Sequence, residues 1–234
     1  MNILEVKGLE KLYVNKKDIR GIKNLNFSIK DNAFHAFIGE NGAGKTTTIK
    51  CIIGSYFKYK GSIYIFGKNH NLPESKQIIG YVPEYATFPK DMTTYSYLKS
   101  LAKLNKISSK DIENKIDSYL TKFNITDLKN QKPSQMSSGQ KKKILLIQAL
   151  IHDPKLIILD EPAANLDPTA RYELFEVLKQ LHKEGKTILI SSHVLAEIDK
   201  YTTSLTLIHK GEVIYSGNKI ESLEKTYYEK VIKN

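Results

Sequence analysis

Apolar positions recur along this chain in two rhythms. Ile3 to Leu9 and Leu25 to Ile29 alternate apolar with polar residues, the period expected of half-exposed antiparallel strands at a sheet edge. Ala33 to Ile38 reads as a continuous apolar strand, and Ser62 to Phe66 and Ile78 to Val82 as short strands bounded by Gly61, Gly67, Gly80 and Pro83. The rhythm then changes: Thr94 to Asn105, Ser109 to Phe123 and Ser138 to His152 show helical spacing with no strand between them. Strand and helix alternate again over Leu156 to Leu159, Pro168 to Glu184 and Thr187 to Ser191, as a parallel sheet with crossover helices requires. Ser204 to His209 and Glu212 to Ser216 flank Lys210-Gly211 as a hairpin, and Glu221 to Ile232 closes the chain as a helix. The predicted class is α/β with one helical interruption.

Composition narrows the picture in three ways. No run approaches the roughly 20 consecutive apolar residues that span a bilayer. Met1 to Val6 carries neither the basic region nor the apolar block of a secretory signal, and the single cysteine, Cys51, suits a reducing compartment, so a cytoplasmic location is expected. The net charge of +11 would suit nucleic acid or an anionic membrane surface if it were clustered, but the lysines are spread along the chain. Their strongest run, Lys141-Lys142-Lys143, opens a helix and reads as solvated surface.

Candidate chemistry sits at strand ends. Gly39-Glu40-Asn41-Gly42-Ala43-Gly44-Lys45-Thr46 follows the strand ending at Ile38 and opens the helix-like segment Thr46 to Ile53, the context a phosphate-binding loop needs. Gly39, Gly42 and Gly44 let main-chain amides turn inward where a side chain would obstruct the phosphates, and Asn41, Ala43 and Thr47 complete the loop. Lys45 supplies a mobile cation for β- and γ-phosphates, and Thr46 a hydroxyl for Mg2+. Leu156-Ile157-Ile158-Leu159 then delivers Asp160 and Glu161 to a strand end closed by Pro162: one carboxylate suited to the metal shell, the other to polarising an attacking water. Either feature alone points only to a nucleotide; the Ser137-Ser138-Gly139-Gln140 stretch between them completes the set expected of an ATPase.

The order of motifs resembles the nucleotide-binding subunit of ATP-binding cassette (ABC) transporters over almost the whole chain. Met136-Ser137-Ser138-Gly139-Gln140 resembles the family signature, Ala164-Asn165-Leu166-Asp167 its D-loop, Ser192-His193 its switch histidine, and Tyr13 the aromatic that stacks on adenine. The resemblance implies an α/β P-loop NTPase fold of ABC type, with a mixed core sheet, antiparallel edge strands and an inserted α-helical subdomain. It implies a single nucleotide-binding domain over 1–234, in which 1–84 and 154–234 form the RecA-like core and 85–153 the helical subdomain. It also implies ATP and Mg2+, and a homodimer or heterodimer in which Ser137 and the Gly139 amide reach the nucleotide held by the other copy, with Gln140 and Asp167 also expected to bind nucleotide. Glu161, His193 and Lys45 would act in hydrolysis, and Thr46, Glu84 and Asp160 would serve the metal. The implied partner is a separate integral membrane permease, with no nucleic acid, which would hold the subunit on the inner face of the cell membrane. Tyr85, Phe88 and Met92 lie where the family docks that partner and are expected to line an apolar groove.

Two positions depart from the family pattern. Glu84 stands where most members carry glutamine, a substitution that resembles exporter subunits for peptide antibiotics, including bacitracin-type and lantibiotic-immunity systems and related drug exporters. Ser138 replaces the first signature glycine, and if that position required positive φ the serine would cost about 1–3 kcal/mol. Three readings therefore stand at this point: an ATPase subunit driving export of a peptide, drug or lipid-like compound, a soluble ATPase of the same superfamily acting on nucleic acid or ribosomes, and a regulatory ATP-binding subunit with little turnover.

Overall fold

The computed structural model describes residues 1–15 and 18–233. The chain opens with two long antiparallel strands, β1 (Asn2–Asn15) and β2 (Asp18–Lys30). They are followed by β3 (Phe34–Ile38), α1 (Lys45–Ile52), β4 (Lys60–Ile65), β5 (Lys68–Asn69), the short α2 (Pro73–Gln77) and β6 (Ile79–Val82). The block between sheet strands holds α3 (Thr94–Leu104), α4 (Ser109–Lys122) and α5 (Ser138–Leu150). The chain returns to the sheet with β7 (Leu156–Asp160), α6 (Pro168–Lys183), β8 (Thr187–Ser192), the short α7 (Leu195–Asp199), β9 (Ser204–His209) and β10 (Glu212–Asn218). It closes with α8 (Leu223–Tyr227) and a π-turn over Tyr228–Ile232.

Two sheets result. The larger has six strands in the order β10-β9-β3-β8-β7-β6, parallel from β9 to β6 with β10 antiparallel at one edge. The smaller has four in the order β2-β1-β4-β5, all antiparallel. Strand β3 explains how they share a core. Buried on both faces, it sends Phe34, Ala36 and Ile38 into one apolar cluster and Phe37 into another. The first cluster takes in α3, α4, α5 and α6 through residues such as Leu98, Ile116, Leu146 and Leu178. The second takes in α1 and the inner face of the antiparallel sheet, with Ile49, Cys51, Leu4 and Ile63.

The α/β reading holds, and the structure corrects three details. Strand β1 is interior to its sheet, between β2 and β4, and only β2 matches the expected edge position. Both strands run well beyond their apolar alternation because the β1–β2 register shifts between Val6 and Leu9 and again between Leu9 and Lys11. Each bulge resets which face a side chain meets, so period-two reading stops there although pairing continues. Phe88, expected in an exposed groove, is buried and meets the Tyr97 ring edge-to-face at 5.3 Å. Among the described residues, no helix is long and apolar enough to cross a membrane.

Candidate functional site

The parallel strands β3, β7 and β8 end side by side, and the loops that follow them meet in one cleft of about 250 Å³. Its lining joins Glu40, Asn41, Gly42, Gly44, Lys45, Thr46 and Thr47 of the phosphate loop to Glu84, Glu161 and His193. Open parallel sheets place ligands outside the C-terminal ends of their strands, and this cleft lies there. Gly39 is dictated by a protein neighbour, since a Cβ there would lie 2.2 Å from the Ile208 carbonyl oxygen. Gly42, with φ 83°, has no atom within 4 Å of an added Cβ, so its face of the loop is open to a ligand. Ala43 turns its methyl into the core and leaves only main chain toward the loop. Helix α1 starts at Gly44 with no side-chain cap and no acidic residue in its first turn, leaving its N-terminal amides and dipole available to an anion.

Charge in the cleft is arranged around Glu161. The Lys45 ammonium is buried, donates to the carbonyls of Gly39 at 2.7 Å and Glu40 at 3.2 Å, and lies 3.4 Å from Glu161 Oε1. His193 Nδ1 lies 2.9 Å from Glu161 Oε2, a contact that places the ring proton on Nδ1. Glu161 Oε1 is buried and accepts no hydrogen bond. Its backbone has φ 43°, a left-handed conformation that costs a non-glycine residue about 1–2 kcal/mol. The turn is held by its own amide, which donates to Ser191 Oγ at 2.9 Å. Ser191 in turn donates to Asp160 Oδ1 at 2.8 Å, and Thr46 donates to the same oxygen at 3.2 Å. Burial raises the Asp160 pKa, while these two hydroxyl contacts pull it back toward the ionised form.

Hard oxygens therefore converge at the loop: the Thr46 hydroxyl, the Asp160 carboxylate it touches, and the cleft-facing Glu84. Among the described residues, no group of His, Cys, Asp and Glu forms a complete cage. That donor set fits Mg2+, which keeps several waters and takes one or two carboxylates plus substrate phosphates.

Other expected site residues lie apart from this cleft in the single chain. Tyr13 is half-exposed, and the Lys11 ammonium sits over its ring at 5.2 Å and over that of Tyr56 at 4.8 Å. Ser137 and Gln140 bond each other in a capping box at the start of α5, with Ser137 exposed and Gly139 half-buried beside Ala170. Asp167 is exposed and caps α6 by accepting from the Ala170 amide at 2.9 Å. Ser138 is the first residue of α5 and is absent from the positive-φ positions, so its expected backbone strain does not arise.

Read from sequence alone, Ser191 and Arg171 escaped notice. Arg171 NH2 donates to the Leu166 carbonyl at 3.0 Å, and its NH1 pairs with Glu197 on α7, tying the segment before Asp167 to the one after His193. Tyr227 was also missed; its hydroxyl donates to Glu40 at 2.8 Å, bringing α8 against the phosphate loop.

The sequence profile of the ABC transporter family matches residues 22–164, the stretch that carries this loop, the α5 turn and the paired carboxylates. The chain belongs to the ABC transporter family. It is an ATP-binding subunit of that family and an ATPase by class. A putative ABC transporter ATP-binding protein of Mycoplasma pneumoniae is 50% identical over 92% of this chain and 66% of its own length. The chain thus spans about two thirds of that relative. The ABC-type transporter ATP-binding protein EcsA of Bacillus subtilis is 33% identical over 96% of this chain and 91% of its own. A solved structure of an ATP-binding subunit of an ABC transporter superposes with a TM-score of 0.84 at 30% identity, covering 97% of this chain and 98% of that one. The ABC ATPase fold is thereby shown for this chain as well.

Proposed function

We propose that this ABC subunit hydrolyses ATP in its phosphate-loop cleft and uses the cycle to drive export of a peptide, drug or lipid-like compound through a separate membrane permease. The observation that carries the catalytic part is the placement of Glu161, whose carboxylate lies between Lys45 and His193 at the mouth of the loop.

The loop amides and Lys45 hold the phosphates, and Tyr13 offers its ring to adenine beside Thr47. Thr46, Asp160 and Glu84 would hold Mg2+, which when bound neutralises charge on the transferred phosphoryl group. Glu161 orients and polarises the attacking water, and His193 holds the Glu161 carboxylate while facing the γ-phosphate. Ser137, Gly139, Gln140 and Asp167, exposed or half-buried and away from their own cleft, serve the nucleotide of a second cassette, identical or similar. ATP bridging the two copies favours the dimer, and loss of phosphate loosens it. The helical block 85–153 would carry the contact to the permease, with Tyr85 its exposed aromatic. Glu84 and the resemblance to antibiotic-export subunits support the export direction.

Glu161→Gln keeps the shape of the side chain and removes the base. ATP turnover is expected to fall by about 10²- to 10⁴-fold, the usual contribution of a positioned base, while ATP-dependent dimers accumulate in size-exclusion chromatography. Turnover within twofold of wild type would remove Glu161 from the mechanism. Detergent pull-down from native membranes tests the partner: a multispanning protein in comparable amount supports the permease, and ribosomal proteins or nucleic acid without one would overturn it.

A further inference from the structure

Helix α5 carries a lysine that its neighbours do not explain as surface. Lys142 is only 5% exposed, between residues 141 and 143, which keep partial access to water. An ammonium removed from water is tolerated only with partners. Here the partners are main-chain: Lys142 Nζ donates to the Glu84 carbonyl at 2.9 Å and the Pro83 carbonyl at 3.1 Å. Those carbonyls belong to the segment that leaves β6 for the helical block, and the Glu84 side chain lines the phosphate cleft. The same helix begins with the Ser137–Gln140 capping box. One side chain thus joins the entry of the helical block to its last helix, next to a residue that lines the cleft.

We infer that Lys142 is a positioning residue for ATP hydrolysis: it clamps the Pro83-Glu84 main chain to α5, holding the Glu84 carboxylate at the cleft and coupling its position to the Ser137–Gln140 turn. The inference rests on the ATPase reading of the cleft. The geometry is specific to a long cation. A methionine would fill the space and leave two carbonyls without their donor, whereas an arginine keeps a charged donor for both. The effect falls first on Glu84, because the carbonyls that accept from Lys142 are those of Pro83 and Glu84, whereas Asp160 feels its charge only through space. Substrate binding is therefore expected to survive its loss better than turnover does.

The test is steady-state hydrolysis of MgATP by the full chain, with Glu161→Gln as the inactive control and thermal melts alongside. Lys142→Met is expected to lower kcat by about tenfold or more, the scale of a displaced catalytic group, with KM for ATP within about threefold of wild type. Lys142→Arg should recover at least about a third of the wild-type kcat. In combination with Glu84→Ala, Lys142→Met should add little further loss, since both act on the same carboxylate. If the methionine variant does not fold, Lys142→Gln, whose shorter amide donates without charge, enters the same cycle with Glu84→Ala. Unchanged kcat in a folded variant, parallel changes in kcat and KM, or losses that multiply with those of Glu84→Ala would overturn the inference while leaving the ATPase reading intact. Absence of hydrolysis by wild type above the Glu161→Gln control would overturn both.

Discussion

His35 offers a prediction whose size follows from the structure. It lies on β3, the strand that leads into the phosphate loop, and is 1% exposed. Its ring nitrogens meet the hydroxyls of Ser204 at 2.8 Å and Thr206 at 2.9 Å, and Thr206 is linked in turn to Ser216 at 2.9 Å. Burial lowers its pKa from 6.5 to about 3, so the folded protein holds a neutral imidazole. With the folded value depressed, the unfolded chain binds the proton first, and stability is lost as pH falls from 6.5 toward 3. Between pH 8 and pH 5 the linkage amounts to about 2 kcal/mol. Urea unfolding followed by circular dichroism at pH 8, 6.5 and 5 reads this out, with His35→Gln as the non-titrating reference. Other groups titrate in both proteins and cancel in the difference. At pH 8 the variant shows the fixed cost of replacing the ring; at pH 5 wild type should have lost about 2 kcal/mol of its advantage over it. A difference that stays constant across this range would refute the claim that a buried neutral histidine supports β3.

Two further substitutions separate strain from positioning. Ser138→Gly should not restore a lost activity, because Ser138 already has ordinary helical backbone at the start of α5; we expect a stability loss of at most about 1 kcal/mol and turnover within twofold, and a tenfold gain in kcat would show that the serine obstructs the cycle. Arg171→Ala removes the donor to Leu166 and the partner of Glu197. Because the pair is part-exposed, stability should fall by only about 1 kcal/mol. A similar loss of positioning would lower ATP turnover by about fivefold, measured as kcat against melting temperature, and unchanged kcat would show that the loop before Asp167 holds its shape without Arg171.

What could be read from the sequence was what is local in it. The phosphate loop declares itself within ten residues, because strand, glycines, lysine and helix must follow one another directly, and Asp160-Glu161 does so because the two carboxylates directly follow the apolar run Leu156 to Leu159. The α5 turn was legible as a motif, and its Ser137–Gln140 capping box is a three-residue relation. Contacts across long separations were not legible. Ser191 reaches Asp160 from a neighbouring strand, and nothing near residue 191 marks it as the hydroxyl that supports the Glu161 turn. Strand β1 was read short for a related reason: its bulges shift alternation between faces while the hydrogen-bond partner supplies continuity.

The lysine run at the start of α5 shows why charge resists such reading. Lys141-Lys142-Lys143 looks uniform in sequence and reads as solvated surface. On a helix, consecutive residues project about 100° apart, so three adjacent lysines cannot share an environment. Lys143 pairs with Glu173 of α6 at 2.8 Å, whereas Lys142 turns inward to two carbonyls. Burial lowers the Lys142 pKa to about 8, against the pull of Glu84 and Asp160 toward the charged form. Net charge therefore overstates the free surface charge of this chain. At least one of its cations lies inside, where the acceptors that retain it belong to the segment bearing Glu84.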